Sequence, residues 1–177
     1  VDPHRSVGST PQLIRTIADA VGKPDAGEAL VKRTQEQIDQ AKKQIAAWKP
    51  AKPMRVAFLY VRGNAGVFFI LGSENGASEL IQGVGADDVA SDKGITTLVP
   101  ANAESLVSIN PDAIFVMRDG LASTGGMKGL LARAGVANTT AGRKQRVISI
   151  PDGISLSFGP QTGEVLTAVA KALYGVK

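Results

Sequence analysis

Apolar residues recur at three- and four-residue spacing in the first part of the chain and gather into short unbroken runs after it. Leu13, Ile14, Ile17, Ala18 and Val21 predict a helix that starts at Thr10-Pro11 and ends at Gly22, with Thr10 as its cap and proline in the first turn. A second helix is predicted from about Ala26 to Trp48, roughly 35 Å long at 1.5 Å per residue. Its apolar stripe, Leu30, Ile38, Ala41, Ile45 and Trp48, is narrow and suits a helix laid across a larger body. Glu28→Lys32 and Asp39→Lys43 are favourably spaced pairs for its exposed face. Lys49-Pro-Ala-Lys-Pro53 stops it.

From Met54 the pattern alternates. Strands are predicted at 54–61, 67–71, 113–117 and 147–150, and helices near 76–84, 102–109, 127–134 and from about Gln161 to Tyr174. Strands interleaved with helices imply an α/β fold, a Rossmann-like three-layer lobe with a mostly parallel sheet. The expected division is 1–53, an entry segment and long connecting helix, and 54–177, the α/β lobe. Two helices before the first strand have little of this lobe to cover. A two-lobed protein cut just before its connecting helix would look like this.

Composition narrows the function. With 177 residues there is room for one well-buried α/β domain. No run approaches the ~20 apolar residues of a membrane span. Without cysteine there is no disulfide, thiolate metal site or cysteine nucleophile. The net charge of +4 sits in residues 1–55, which hold ten Lys/Arg against six Asp/Glu, while the remainder is balanced. Those cations alternate with acids and share one aromatic, Trp48, so no nucleic-acid partner is expected. Val1-Asp-Pro-His-Arg-Ser is no signal peptide and reads as the start of a mature product or fragment. No nucleophile elbow, Walker loop or dinucleotide fingerprint occurs, and Asp87-Asp88 has no base or metal-ligand partner at useful spacing. No enzymatic activity is expected, although Ser123-Thr-Gly-Gly126 keeps a small nucleotide-binding α/β module or enzyme as an alternative.

Tyr60 and Arg62 carry the candidate chemistry. The run 54–61 ends at the carboxyl edge of a buried strand, where open α/β sheets bind ligands. A phenol two residues from a guanidinium, on the same side of an extended chain, suits a ferric ion, which takes hard anionic oxygen ligands; tyrosine is a known axial ligand of haem iron. Met117 ends the strand 113–117 at the same edge. Phe158, in the loop Ser155–Pro160, is a further cleft candidate. Each has an ordinary reading as well: a strand-end tyrosine, a solvated arginine, a gap-filling methionine.

Several stretches resemble the second lobe of the substrate-binding proteins that serve siderophore, cobalamin and haem ABC importers. They are Ser6-Val7 with Thr10-Pro-Gln-Leu-Ile-Arg-Thr-Ile-Ala-Asp-Ala-Val-Gly22, Arg55-Val-Ala-Phe-Leu-Tyr60, Ser78-Glu-Leu-Ile-Gln-Gly-Val-Gly-Ala-Asp-Asp-Val89, and Ala103-Glu-Ser-Leu-Val-Ser-Ile-Asn-Pro-Asp-Ala-Ile-Phe-Val116. Within that family Tyr60, Arg62 and Met117 are similar to the haem-binding lipoproteins of corynebacterial type. The resemblance implies a C-terminal lobe with its connecting helix, whose Tyr60 ligates haem iron with support from Arg62. A histidine of the other lobe would complete the coordination; His4 does not match that position. It further implies an extracytoplasmic protein, lipid-anchored or periplasmic, that hands haem to an ABC permease. Glu104 would dock on the permease, although Asn102-Ala103 replaces the usual serine before it and a first-turn glutamate is also favoured by the helix dipole. A siderophore or cobalamin lobe is the nearest rival. An uncovered connecting helix also leads us to expect a homodimer made by exchanging helices.

Overall fold

The computed structural model describes residues 6–63 and 66–176. Two helices, α1 (Thr10–Ala20) and α2 (Pro24–Trp48), precede β1 (Arg55–Arg62) and β2 (Val67–Ile70). Then come α3 (Ala77–Gly83), β3 (Asp87–Asp88), α4 (Val89–Asp92), β4 (Val99–Pro100), α5 (Ala103–Ile109) and β5 (Ala113–Met117). The remaining elements are α6 (Arg118–Ser123), α7 (Gly126–Leu131), α8 (Thr140–Arg143), β6 (Val147–Ile150), α9 (Asp152–Ser155) and α10 (Thr162–Tyr174).

The strand order is β4-β2-β1-β5-β6, with β3 beside the start of β1. β1, β5 and β6 run parallel, with Phe58 facing Phe115 and Phe115 facing Ile148. β2 folds back antiparallel on β1, Tyr60 opposite Phe69, because the few residues between them leave no length for a crossover. The sheet is therefore mostly parallel, with an antiparallel margin formed by β2 and β4.

Helices cover both faces, which is why the strands read as continuous apolar runs. One face buries Val56, Phe58, Phe115 and Ile150 under Leu80 and Ile81 of α3, Leu166 and Val169 of α10, and Ala41 and Ile45 of α2. The other buries Ala57, Leu59, Val61, Ile114 and Val116 with Leu106 of α5, Leu130 of α7 and Ala141 of α8. Phe58 and Phe115 meet edge to face, centroids 6.4 Å apart at 84°.

The expectation that the two leading helices lack a partner is corrected by packing. α2 buries Gly27, Val31, Thr34, Ile38, Ala41 and Ile45, a four-three repeat along its length. Close approach makes this stripe work. A Cβ on Gly163 of α10 would lie 2.7 Å from the Gln37 carbonyl carbon, and one on Gly27 would lie 2.4 Å from the Ala18 Cβ. Glu28 pairs not with Lys32 but with Arg15 of α1, Nε to Oε1 at 2.6 Å, and Asp39 accepts from Gln35 at 2.9 Å. α1 ends in paired bonds, Gly22 N–H to Asp19 O and Lys23 N–H to Ala18 O, with Gly22 at φ 65°. Thr10 is not a cap: it lies inside α1, buried, and its hydroxyl donates to the Phe158 carbonyl at 3.0 Å, tying α1 to the lobe. Ile17 and Val21 on the far side of α1 are exposed.

One buried acid gives the fold a pH dependence. Asp88 is 3% exposed, accepts the Ser78 hydroxyl and takes the Ala90 N–H at 3.0 Å. Burial raises its carboxyl above the usual range, and these hydrogen bonds only partly offset that. The folded state therefore holds this proton more tightly than the unfolded chain. Its contribution is fully present below the ordinary aspartate range, about pH 4, and is lost as pH rises through the raised value. Denaturant unfolding at a series of pH values should show Asp88→Asn with a flatter stability profile across that window. An unchanged slope refutes this.

Candidate functional site

The alternation of β1 places Tyr60 and Arg62 on one face, and both stand half-buried at the strand's carboxyl end. β5, in parallel register, brings Met117 to the same edge and face. The three residues read as a cluster from the sequence do meet. The Arg62 guanidinium carbon lies 4.9 Å from the centre of the Tyr60 ring, and its Nη2 donates to the Met117 sulfur at 3.4 Å.

A fourth residue completes the group. Arg62 Nη2 lies 2.6 Å from Asp152 Oδ1, while Asp152 Oδ2 accepts the Asp119 N–H at 2.9 Å. Arg62 Nη1 also donates to the Val61 carbonyl at 3.2 Å. Asp152 was not singled out from the sequence. The available signal was its place two residues beyond β6, since β6 ends at the same edge as β1 and β5.

Gly120 makes room for this arrangement. A Cβ there would lie 2.4 Å from Arg62 Nη1 and 2.5 Å from the Val61 carbonyl oxygen. Gly120→Val should therefore cost about 1–3 kcal/mol by overpacking and turn the guanidinium off the Tyr60 ring. Chemical denaturation measures the first effect and the Arg62 Nε–H resonance the second. A variant with wild-type stability and an unmoved resonance contradicts both.

The loop after β1 is anchored at Gly63, whose N–H donates to Ser123 Oγ at 2.8 Å and whose carbonyl accepts from Arg133. Arg133 also stacks 5.0 Å above the Phe68 ring. Ser123 donates onward to the Gly120 carbonyl at 2.7 Å and Thr124 to the Leu121 carbonyl at 2.8 Å, so both hydroxyls of the Ser123–Gly126 turn are bonded within the protein.

One expectation changes. Phe158 does not line a cleft: it is buried against α3 and α10, with φ 45°, and its ring edge would come within 3.1 Å of a Cβ on Gly76. Glu104, the docking candidate, is not one of the cluster's residues. It stands exposed in the first turn of α5, whose start is fixed by a reciprocal cap: Asn102 Oδ1 accepts the Ser105 N–H, and Ser105 Oγ accepts the Asn102 N–H. His4 lies outside the described residues.

A family model described as periplasmic binding protein matches residues 2–153. The crystal structure of the haem-binding protein HmuT is 47% identical, with a TM-score of 0.96 over 100% of this chain and 57% of HmuT. HmuT structures in which a tyrosine, or an arginine two positions after it, is replaced by alanine match at the same identity and TM-score, over 98% of this chain and 54% of theirs. The periplasmic haem-binding protein RhuT from Roseiflexus sp. RS-1, in apo form, is 35% identical with a TM-score of 0.90, over 96% of this chain and 64% of RhuT. BhuT in complex with two haems is 31% identical with a TM-score of 0.87, over 98% of this chain and 64% of BhuT. The chain thus spans less than two thirds of each of these relatives. No curated protein matches it. On the family match and these identities together, the chain belongs to the periplasmic binding protein family.

Proposed function

We propose that this chain is the C-terminal lobe of an extracytoplasmic protein that binds haem and delivers it to an ABC importer. The observation that carries the reading is the meeting of Tyr60, Arg62 and Met117 at the carboxyl edge of the sheet. Likeness to the haem-binding proteins HmuT, RhuT and BhuT supports it. Residues 1–53 then form the entry segment and connecting helix, and 54–177 the ligand-binding lobe.

In this reading Tyr60 supplies an anionic oxygen to ferric iron. Arg62 places a positive charge beside that oxygen, and Met117 gives the porphyrin an apolar neighbour at the sheet edge. A second lobe supplies the ligand on the opposite side of the iron. Exposed Glu104 docks on the permease, and a lipid anchor or the periplasm keeps the protein near it. The homodimer remains part of the proposal: exchange of α1 and α2 between two copies would rebuild the α2–α10 seam between chains. Sedimentation as a monomer at every concentration removes that part.

A hemin titration followed by absorbance tests the ligand. A saturable Soret shift, undisturbed by excess cobalamin or nucleotide, supports haem. Retention of cobalamin or a ferric siderophore, with no Soret shift, transfers the assignment to the rival of the same family. Saturable nucleotide binding alone would favour the α/β nucleotide module.

A further inference from the structure

The Arg62 guanidinium is a planar fork whose direction decides what its charge does. Three acceptors from three parts of the sheet edge fix it: the Val61 carbonyl on β1, the Met117 sulfur on β5 and Asp152 Oδ1 just past β6. The carboxylate is itself held, because its second oxygen takes the Asp119 N–H. Arg62 and Asp152 keep 34% and 22% of their side-chain surface exposed, so the pair is neither a loose surface contact nor fully buried. Gly120 leaves the space that this geometry needs.

We propose that Asp152 is a positioning residue for the ligand site: it aims Arg62 at the Tyr60 ring and tempers the positive charge felt at the Tyr60 oxygen. The proposal rests on the haem reading above. A guanidinium paired to a carboxylate acts on its surroundings as an ion pair, with a field that falls off faster than that of a bare cation. Asp152 thereby governs how strongly the Tyr60 oxygen donates to a bound ferric centre. It never touches that centre.

The test compares hemin-loaded wild type with Asp152→Asn, Asp152→Glu, Arg62→Ala and the double variant Asp152→Asn/Arg62→Ala. Asparagine keeps the shape and removes the charge. The tyrosinate-to-iron charge-transfer band should move to shorter wavelength and the haem reduction potential should rise, since negative charge has been taken from the site. Hemin release should quicken by about 10-fold, the low end of what residues that orient metal ligands contribute. Asp152→Glu should return part of each value. In the Arg62→Ala background Asp152→Asn should add almost nothing, because its effect passes through Arg62. A haem-free readout stands beside these: the Arg62 Nη2 protons, which Asp152 Oδ1 accepts, should lose exchange protection in Asp152→Asn.

Unmoved band, potential and release in Asp152→Asn, with the band still lost in Tyr60→Phe, overturn this inference and leave the haem reading intact. Asp152 effects that persist in full without Arg62 overturn it too. A wild type with a Soret shift but no charge-transfer band removes Tyr60 as iron ligand, and the inference with it, while haem stays; a wild type with no Soret shift removes the haem reading as well.

Discussion

Tyr60→Phe should abolish the visible charge-transfer band of the hemin-loaded protein while leaving its fold intact. The substitution removes one oxygen atom and nothing else. The phenyl ring keeps its packing beside the main core and its place under the Arg62 guanidinium. Among the described residues the Tyr60 hydroxyl makes no hydrogen bond, so its removal leaves no buried donor or acceptor unpaired. Any loss in hemin binding therefore reports ligation. Absorbance titration of both proteins, with matched thermal melts, is the check. A Soret shift and charge-transfer band that survive the change would keep haem as ligand but pass the iron to another residue, Met117 being the next to test. A variant that melts far below wild type would mean that Tyr60 is structural.

Phe115→Ala should be the most destabilising single truncation in the sheet, costing about 3–5 kcal/mol. Phe115 is fully buried in β5, hydrogen-bonded between β1 and β6, and its ring meets Phe58 edge to face at 6.4 Å. The loss combines transfer free energy, a cavity between rigid strands and the aromatic pair itself, which adds about 0.5–1.5 kcal/mol. Small domains have about 5–15 kcal/mol in total, so the variant should sit near its unfolding threshold. Urea denaturation should show a lower midpoint with an unchanged slope. A shift equivalent to less than about 1 kcal/mol would mean that the site collapses freely, against the close packing seen here.

What could be read from the sequence follows from which contacts decide each element. β1 and β5 are legible because burial on both faces makes their centres unbroken apolar runs, β6 because buried Ile148 and Ile150 alternate with exposed Ser149, and α10 because its apolar face repeats at helical spacing. The α2 stripe was only half legible. Gly27 and Thr34 lie on it, and their fitness there depends on how near Ala18 and α10 come, which no periodicity records. The two-residue strands β3 and β4 exist through tertiary pairing, and the short helices α4 and α8 start at local caps from Asp88 and Thr139 that no periodicity marks. Phe158 reads from its loop as a cleft candidate, and the space over Gly76 takes its ring into the core instead. Within the site, Tyr60 and Arg62 were legible because two-residue spacing on a strand puts side chains together. Asp152 was not, since its partner is brought to it by the parallel order of β1, β5 and β6.

The seam between α2 and α10 has a kinetic consequence. Gly163 sits against the Gln37–Ile38 backbone, so helices far apart in sequence must close one layer of the core. Such closure is slow, because the entropy of a long loop is lost before the contact repays it. During synthesis α2 and β1 leave the ribosome well before α10 exists. Until then Ala41, Ile45, Val56 and Phe58 have no Leu166 or Val169 to cover them. The nascent chain therefore passes through an interval with one sheet face open, when holdase chaperones would find it and when chains at high concentration would aggregate.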